Sequence, residues 1–239
     1  MSRDPRPATV RRLDPGPEAW LQGLGDYEGA DVHRVSELLP PGYDAYVRVL
    51  HAFVPWGGER GAPPVGALLP RWTWRELAEE SGVTYGPHLM AHLLDAAVVD
   101  GTPMVVVREG ELDPVSRVAL FRVLAEAGPD DARALFWFGL SAVVSGEQPP
   151  LFEGPVAAVE TVRDVARRQV HPALVGPELA WPEDRSWVVA TDYDLTSTYV
   201  ACSHEVAARL HAADELEVMD VGLRTRIDDQ AGTESPESP

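Results

Sequence analysis

Read for apolar and polar positions alone, the chain falls into segments with two different periods. In "YDAYVRVLHAF", Ala45, Val47, Val49 and His51 share one side and Tyr46, Arg48, Leu50 and Ala52 the other, which is the alternation of a β-strand. "PEAWLQGL", 17–24, is a short helix candidate with Pro near its start. The Gly- and Pro-rich stretch 55–70 reads as a loop. Thr73 stands three residues before Glu76, a capping box that opens a helix to about Ser81. A second helix is expected over 88–98, and "MVVV", 104–107, is a short β-like run. Asp113 followed by Pro114 supplies an N-cap and a first-turn proline, predicting a helix that runs to Ala127 and stops at Gly128. "ARALFWFGL" has strand character. Val156, Val159, Val162 and Val165 with Ala166 recur at helical spacing, with charges between them. Residues 187–191 and 198–202 read as two strands, Ser203 caps a helix through His211, and "LEVMDV" is a last strand.

Helices and strands do not alternate regularly in this order. That predicts an α+β fold, a mixed or antiparallel sheet packed with several helices, rather than a doubly wound sheet. The 239 residues suffice for one main domain with a sizeable core, placed at 17–222. Residues 1–16 are expected to form a flexible arm. Residues 223–239, ending in "DDQAGTESPESP", are expected to form an acidic, disordered tail. No internal repeat is visible.

Composition narrows the function. Asp and Glu number 38 against 20 cationic residues, for a net charge of −18. Such a field repels polyphosphate, so no nucleic-acid partner is expected, and an acidic surface suits a basic partner. Every cationic residue is Arg; there is no Lys, no Asn and one Ile, Ile227, a bias that points to a GC-rich genome. Without Lys there is no Walker A lysine, no Schiff base and no pyridoxal site, and no cofactor is expected. Arg163, Arg167 and Arg168 read as a solvated helix face. The lone Cys202 excludes an internal disulfide framework and a cysteine zinc cluster. The longest apolar run, "ALFWFGLSAVV", is shorter than the roughly 20 residues a membrane span needs. No basic segment leads into an apolar one at the start of the chain, so a cytoplasmic location and no membrane partner are expected.

Several constellations could carry chemistry. Asp192 and Asp194 in "VVATDYDLT" have the outward form of the aspartate motif of haloacid dehalogenase-like phosphotransferases. Two carboxylates two apart on a strand could converge on Mg²⁺. In that family, however, the motif ends the first strand of a large parallel sheet, and too little chain follows Asp192 to build one. The plainer reading is a pair of turn carboxylates at a strand end. His88, His92 and Asp95 would share one face of a helix and could hold a metal, although Leu89 stands where a zinc protease has its Glu. Cys202 and His204 could serve as nucleophile and base, or Cys202 could be a small core residue. "GLGDYEG" follows no strand and is not a dinucleotide loop. Trp72 and Trp74 lie between Arg71 and Arg75, while Trp181 and Trp187 flank "PEDRS". Trp and Arg anchor protein interfaces, so Trp72, Trp74, Trp181 and Arg185 are candidate partner-binding residues, against the alternative of core tryptophans beside loop charges.

Two longer blocks, "LLPPGYDAYVRVLHAFVPWG" and "WPEDRSWVVATDYDLTSTYVACS", resemble a family of uncharacterised actinobacterial cytoplasmic proteins. That family's C-terminal block runs WPEDRxWxVATxxDLxSTYV. This chain differs in having Asp192 where the family has Glu, and "ACS" for its "GGS". The resemblance implies no activity, and it implies that the run is not a phosphatase motif. The opening and the acidic composition also resemble a group in which toxin-immunity proteins occur. Together these features point to a non-enzymatic, protein-binding module of interaction or immunity type. The alternative is a metal-dependent hydrolase or phosphatase-like enzyme using Asp192 and Asp194, or the His88, His92 and Asp95 face.

Overall fold

The computed structural model describes residues 9–21, 24, 33–55, 70–94, 98–99, 102–103, 105–139, 149–172 and 174–227. Among these, the strands are β1 (Arg11–Leu13), β2 (Ala45–Leu50), β3 (Phe53–Pro55), β4 (Val98–Val99), β5 (Thr102–Pro103), β6 (Val105–Val107), β7 (Arg133–Trp137), β8 (Leu151–Pro155), β9 (Leu179–Pro182), β10 (Val188–Ala190), β11 (Ser197–Cys202) and β12 (Val218–Val221). The α-helices are α1 (Val35–Leu38), α2 (Trp74–Ser81), α3 (Pro114–Glu126), α4 (Val159–Gln169) and α5 (His204–His211). Eight strands form one sheet in the order β1-β8-β7-β9-β10-β11-β2-β12, every neighbouring pair antiparallel. Pairs β3–β6 and β4–β5 stand apart from it. The fold is α+β, as its element order predicts.

Both faces of the large sheet are covered, and the alternation along each strand divides the core in two. Val47, Val49, Val189, Val200, Phe136 and Phe152 point to the face where α3, α4 and α5 pack. Tyr199, Ala201, Val188, Leu151 and Trp181 point to the other, covered by Val35, Leu38, Leu39 and Ile227. Burying each large apolar side chain contributes roughly 1.5–3 kcal/mol, so a strand buried on both faces is held strongly in register. β11 is buried at every position. A third cluster, around Trp74, Leu77, Leu89 and Leu94, lies under α2.

Helix starts follow local chemistry. Asp113 accepts hydrogen bonds from the N–H groups of Val115 and Ser116, Thr73 and Glu76 form the reciprocal capping box, and Ser203 accepts from Val206 N–H.

Four expectations need correction. Over 88–98 the described residues form a short 3₁₀ turn, Ala91–Leu93, and the start of β4 at Val98, not an α-helix. The carbonyls of Pro87 and Leu89, which a helix would use itself, accept from the Arg48 guanidinium at 3.1 and 2.8 Å. The boundaries 17 and 222 are too narrow. β1 lies inside the expected arm and pairs with β8, and Ile227 lies inside the expected tail yet is 3% exposed in the core. Residues 1–8 and 228–239 lie outside the described residues. Finally, Arg163 is buried, not part of a solvated face. Among the described residues no helix is long and apolar enough to cross a membrane.

Candidate functional site

β10 and β11 form a hairpin in which Val188 faces Ala201 and Ala190 faces Tyr199. Thr191, the last buried residue of the outgoing arm, donates its hydroxyl to the Ser197 carbonyl at 3.3 Å. The reversal is then closed by Asp192. Its Oδ1 accepts from Tyr193 N–H at 2.6 Å and its carbonyl from Leu195 N–H at 3.1 Å. Asp suits such a place because its short carboxylate bonds nearby backbone N–H groups. Tyr193 is left at the tip, 62% exposed.

A turn that follows β6 braces this tip. Gly110 N–H donates to the Leu195 carbonyl at 2.9 Å. Two residues earlier, the Arg108 carbonyl accepts from His51 Nδ1 at 2.7 Å, and His51 Nε2 lies 3.0 Å from Thr198 Oγ1. A carbonyl can only accept, so Nδ1 carries the proton and Nε2 accepts from the hydroxyl. Burial pushes the His51 imidazole down to about 4, against the Arg108 bond and the nearby Asp113 carboxylate, which pull it up. A neutral, buried imidazole therefore ties β2, β11 and the bracing turn together.

Tip, turn and the segment around residue 91 enclose a cleft of about 770 Å³, lined by His33, His92, Glu109, Asp192, Tyr193 and Asp194. Met90 and Ile227, both buried, also line it and give it an apolar part. His33 is engaged with Glu37 at 3.0 Å.

The structure thus joins part of two sequence constellations. His92, Asp192 and Asp194 line one cleft, together with His33 and Glu109, which the sequence did not single out. His88 is exposed and does not line the cleft, and Asp95 lies outside the described residues. The helical face that would have carried His88 and His92 is not formed. Among the described residues no three His, Cys, Asp or Glu side chains stand where they could hold one metal ion. The position of Asp192 and Asp194 agrees with the plainer reading of turn carboxylates. They sit on the tip of an antiparallel hairpin, not at the end of a strand in a parallel sheet.

The proposed partner anchors separate. Trp74 is 0% exposed and Trp181 is 2% exposed, so both are core residues. Trp74 donates Nε1–H to the His51 carbonyl at 2.7 Å and its ring lies 5.2 Å from the Arg48 guanidinium carbon. Trp181 packs edge-on against Trp20 at 6.1 Å. Trp72 is half-buried against the cluster under α2. Arg185 is exposed, but its guanidinium lies over the Trp20 ring at 4.4 Å. These four do not make one surface. Cys202 is fully buried, and burial pushes its thiol up to about 12, which removes it as a nucleophile.

One charged cluster escaped the sequence altogether. Arg117 contacts Glu111 at 3.3 Å and Glu160 at 2.5 Å, and Arg163 contacts the same two carboxylates, Glu160 at 3.0 Å. Burial raises the Glu160 carboxyl, but the two guanidiniums outweigh it and hold it below its ordinary range. Only the Glu160–Arg163 spacing, three apart on a helix, hinted at the ring. Comparison of the chain with protein-family models, with curated proteins and with solved structures finds no match.

Proposed function

We propose that this protein is a non-enzymatic module that binds another protein, and that the Asp192–Tyr193–Asp194 tip with its cleft is the binding face. The observation that carries the reading is Tyr193. Among the described residues the exposed large apolar side chains are Tyr193 and Val118 alone, and Tyr193 is the more exposed, on a tip braced from behind by Gly110. A rigidly presented tyrosine beside a cleft is a typical interface hot spot, since it adds contact area and a hydroxyl at small entropy loss. The blocks that resemble uncharacterised actinobacterial cytoplasmic proteins supply β2 and the β10–β11 hairpin. The proposal places the chain among those proteins, in the cytoplasm, with neither nucleic acid nor membrane as partner.

The test is quantitative capture from the native host with tagged wild-type protein and Tyr193→Ala, together with thermal melting of both. A partner retained by the wild type and lost by an equally stable variant supports the face. An identical partner set for both proteins overturns it.

The alternative reading is a metal-dependent hydrolase; His92, Asp192 and Asp194 line one cleft, but among the described residues no three such side chains are placed to hold one ion, which weighs against it. Turnover of a generic phosphomonoester with Mg²⁺ that disappears in Asp192→Asn and Asp194→Asn, with melting unchanged, would establish it in place of the first.

A further inference from the structure

Building on the reading of the tip and its cleft as a binding face, we infer that Arg48, itself buried, is the positioning residue that holds the two walls of the cleft at the separation the partner requires. One wall carries Met90, Ala91 and His92; the other carries Tyr193, Leu195 and Thr196 of the hairpin. Arg48 is 2% exposed and bonds to the base of both. Its Nε donates to Ser197 Oγ at 2.8 Å, one residue after Thr196. Its Nη1 donates to the carbonyls of Pro87 and Leu89 at 3.1 and 2.8 Å, and Leu89 immediately precedes Met90. One planar fork, whose nitrogens keep a fixed geometry, therefore ties the walls together.

The strand dictates where that fork lies. Val47 and Val49 point to the face packed by the helices, so Arg48 points to the other, opposite Tyr199 on β11 and Met219 on β12. The Trp74 ring lies 5.2 Å from the guanidinium carbon. The first wall depends on this tie. Among the described residues its backbone–backbone bonds stay local, from Leu89 N–H to Gly86, Leu93 N–H to Met90 and Leu94 N–H to Ala91. Leu89 and Leu94 add apolar packing under α2, but the hydrogen bonds that reach the sheet are those of Arg48. The wall's own sequence pattern favours a helix, so without the guanidinium it is free to leave the path that lines the cleft.

The acceptors of Arg48 are a hydroxyl and two carbonyls, all neutral, and among the described residues no carboxylate pairs with it. Replacing it therefore orphans no buried charge, and unbranched Met can fill much of its space. Arg48→Met is accordingly a variant in which the walls can separate while the sheet persists.

The test uses the full chain carrying His92→Cys and Tyr193→Cys, both exposed positions, spin-labelled there while the native Cys202 stays buried. The separation of the labels is measured alone and with Arg48→Met or Val47→Ala added. Val47 neighbours Arg48 on the strand but is buried against the helices, so Val47→Ala lowers stability without touching the clamp. Arg48→Met should broaden the distribution of separations and speed hydrogen exchange at 88–94 by about tenfold, with less than about twofold change in the β10–β11 ladder, because the opening is local. Val47→Ala should melt lower yet keep the narrow distribution. An unchanged distribution in Arg48→Met, or equal broadening in Val47→Ala, would overturn the inference. In capture from the native host with the unlabelled chain, Arg48→Met should lose the partner that Tyr193→Ala loses. A partner lost by Tyr193→Ala but retained by Arg48→Met overturns the inference and leaves the binding face standing. Broadening by Arg48→Met with capture indifferent to Tyr193→Ala supports the clamp and overturns the binding face.

Discussion

Gly110 and Tyr193 pack backbone against backbone: a Cβ added to Gly110 would lie 2.9 Å from the Tyr193 carbonyl oxygen and 3.1 Å from its Cα. Gly110 also stands at φ +77, a conformation that L side chains rarely adopt. Gly110→Ala should therefore lower stability by about 2 kcal/mol, the sum of left-handed strain and a displaced turn. Urea denaturation measures the loss. Faster proteolytic cleavage at 192–195 would show that the tip has been released. An unchanged unfolding midpoint would mean that the turn does not brace the hairpin.

His51 should make the fold acid-sensitive over a defined window. Its imidazole titrates near 6.5 when unfolded and is held down to about 4 in the fold by burial. Between those values the unfolded chain binds a proton that the native state refuses, so stability falls as the pH is lowered from 6.5 towards 4. Above 6.5 the contribution is constant. At about 1.4 kcal/mol per unit the full difference is roughly 3 kcal/mol. Glu160 and Glu153, held below their ordinary range by their arginine partners against the opposing effect of burial, add a loss at lower pH. Denaturation curves at a series of pH values should show a shallower slope for His51→Gln than for the wild type between 6.5 and 4. Parallel slopes would show that the imidazole is not the cause.

The ring of Glu111, Arg117, Glu160 and Arg163 ties α3 and α4 to the segment just after Gly110. Arg117→Met fills much of the same volume but leaves Glu160 with Arg163, and Glu111 with Arg163 and the longer contact to Arg108 at 3.5 Å. The side chains of Arg117 and Arg163 are 6% and 5% exposed, so little water can replace the lost guanidinium, although Glu160 at 44% is partly screened. A loss of about 2–3 kcal/mol is expected, below the full penalty for an unpaired buried charge. Because the ring sits beside the bracing turn, chemical-shift changes should reach Gly110 but not β12. A variant as stable as the wild type would show that the ring contributes nothing net.

Cys202 should be inert to thiol reagents in the native protein. It is buried in β11, and its thiol is pushed up to about 12 by burial, so the thiolate is scarce at neutral pH. Labelling with a disulfide reagent should proceed only as fast as the protein unfolds and become rapid in denaturant. Fast labelling of the native state would contradict its burial.

Signals that act within one turn of chain were legible in the sequence. Asp113 with Pro114, Thr73 with Glu76, and Ser203 each start a helix, because a cap satisfies N–H groups two or three residues away. The strand character of β2, and of β10 and β11 on either side of a reversal, was legible too, because alternation and Asp-rich turns are local patterns. So was the role of Asp192 in that reversal, since its carboxylate bonds the next residue's N–H.

What the tertiary structure alone decided rests on groups far apart in the chain. β1 has three residues and no period of its own; its place comes from the ladder with β8 and from Arg11 meeting Glu153. The helix expected after His88 is overruled by Arg48, some forty positions away, which takes its carbonyls. Trp74 and Trp181 look like interface anchors in composition, yet each finds a core to fill. The cleft gathers His33, His92, Glu109 and the tip from four separate segments, and the buried ion ring joins two helices with a loop. No local pattern encodes such meetings. They depend on which apolar faces are buried against one another, and that is settled by the whole chain.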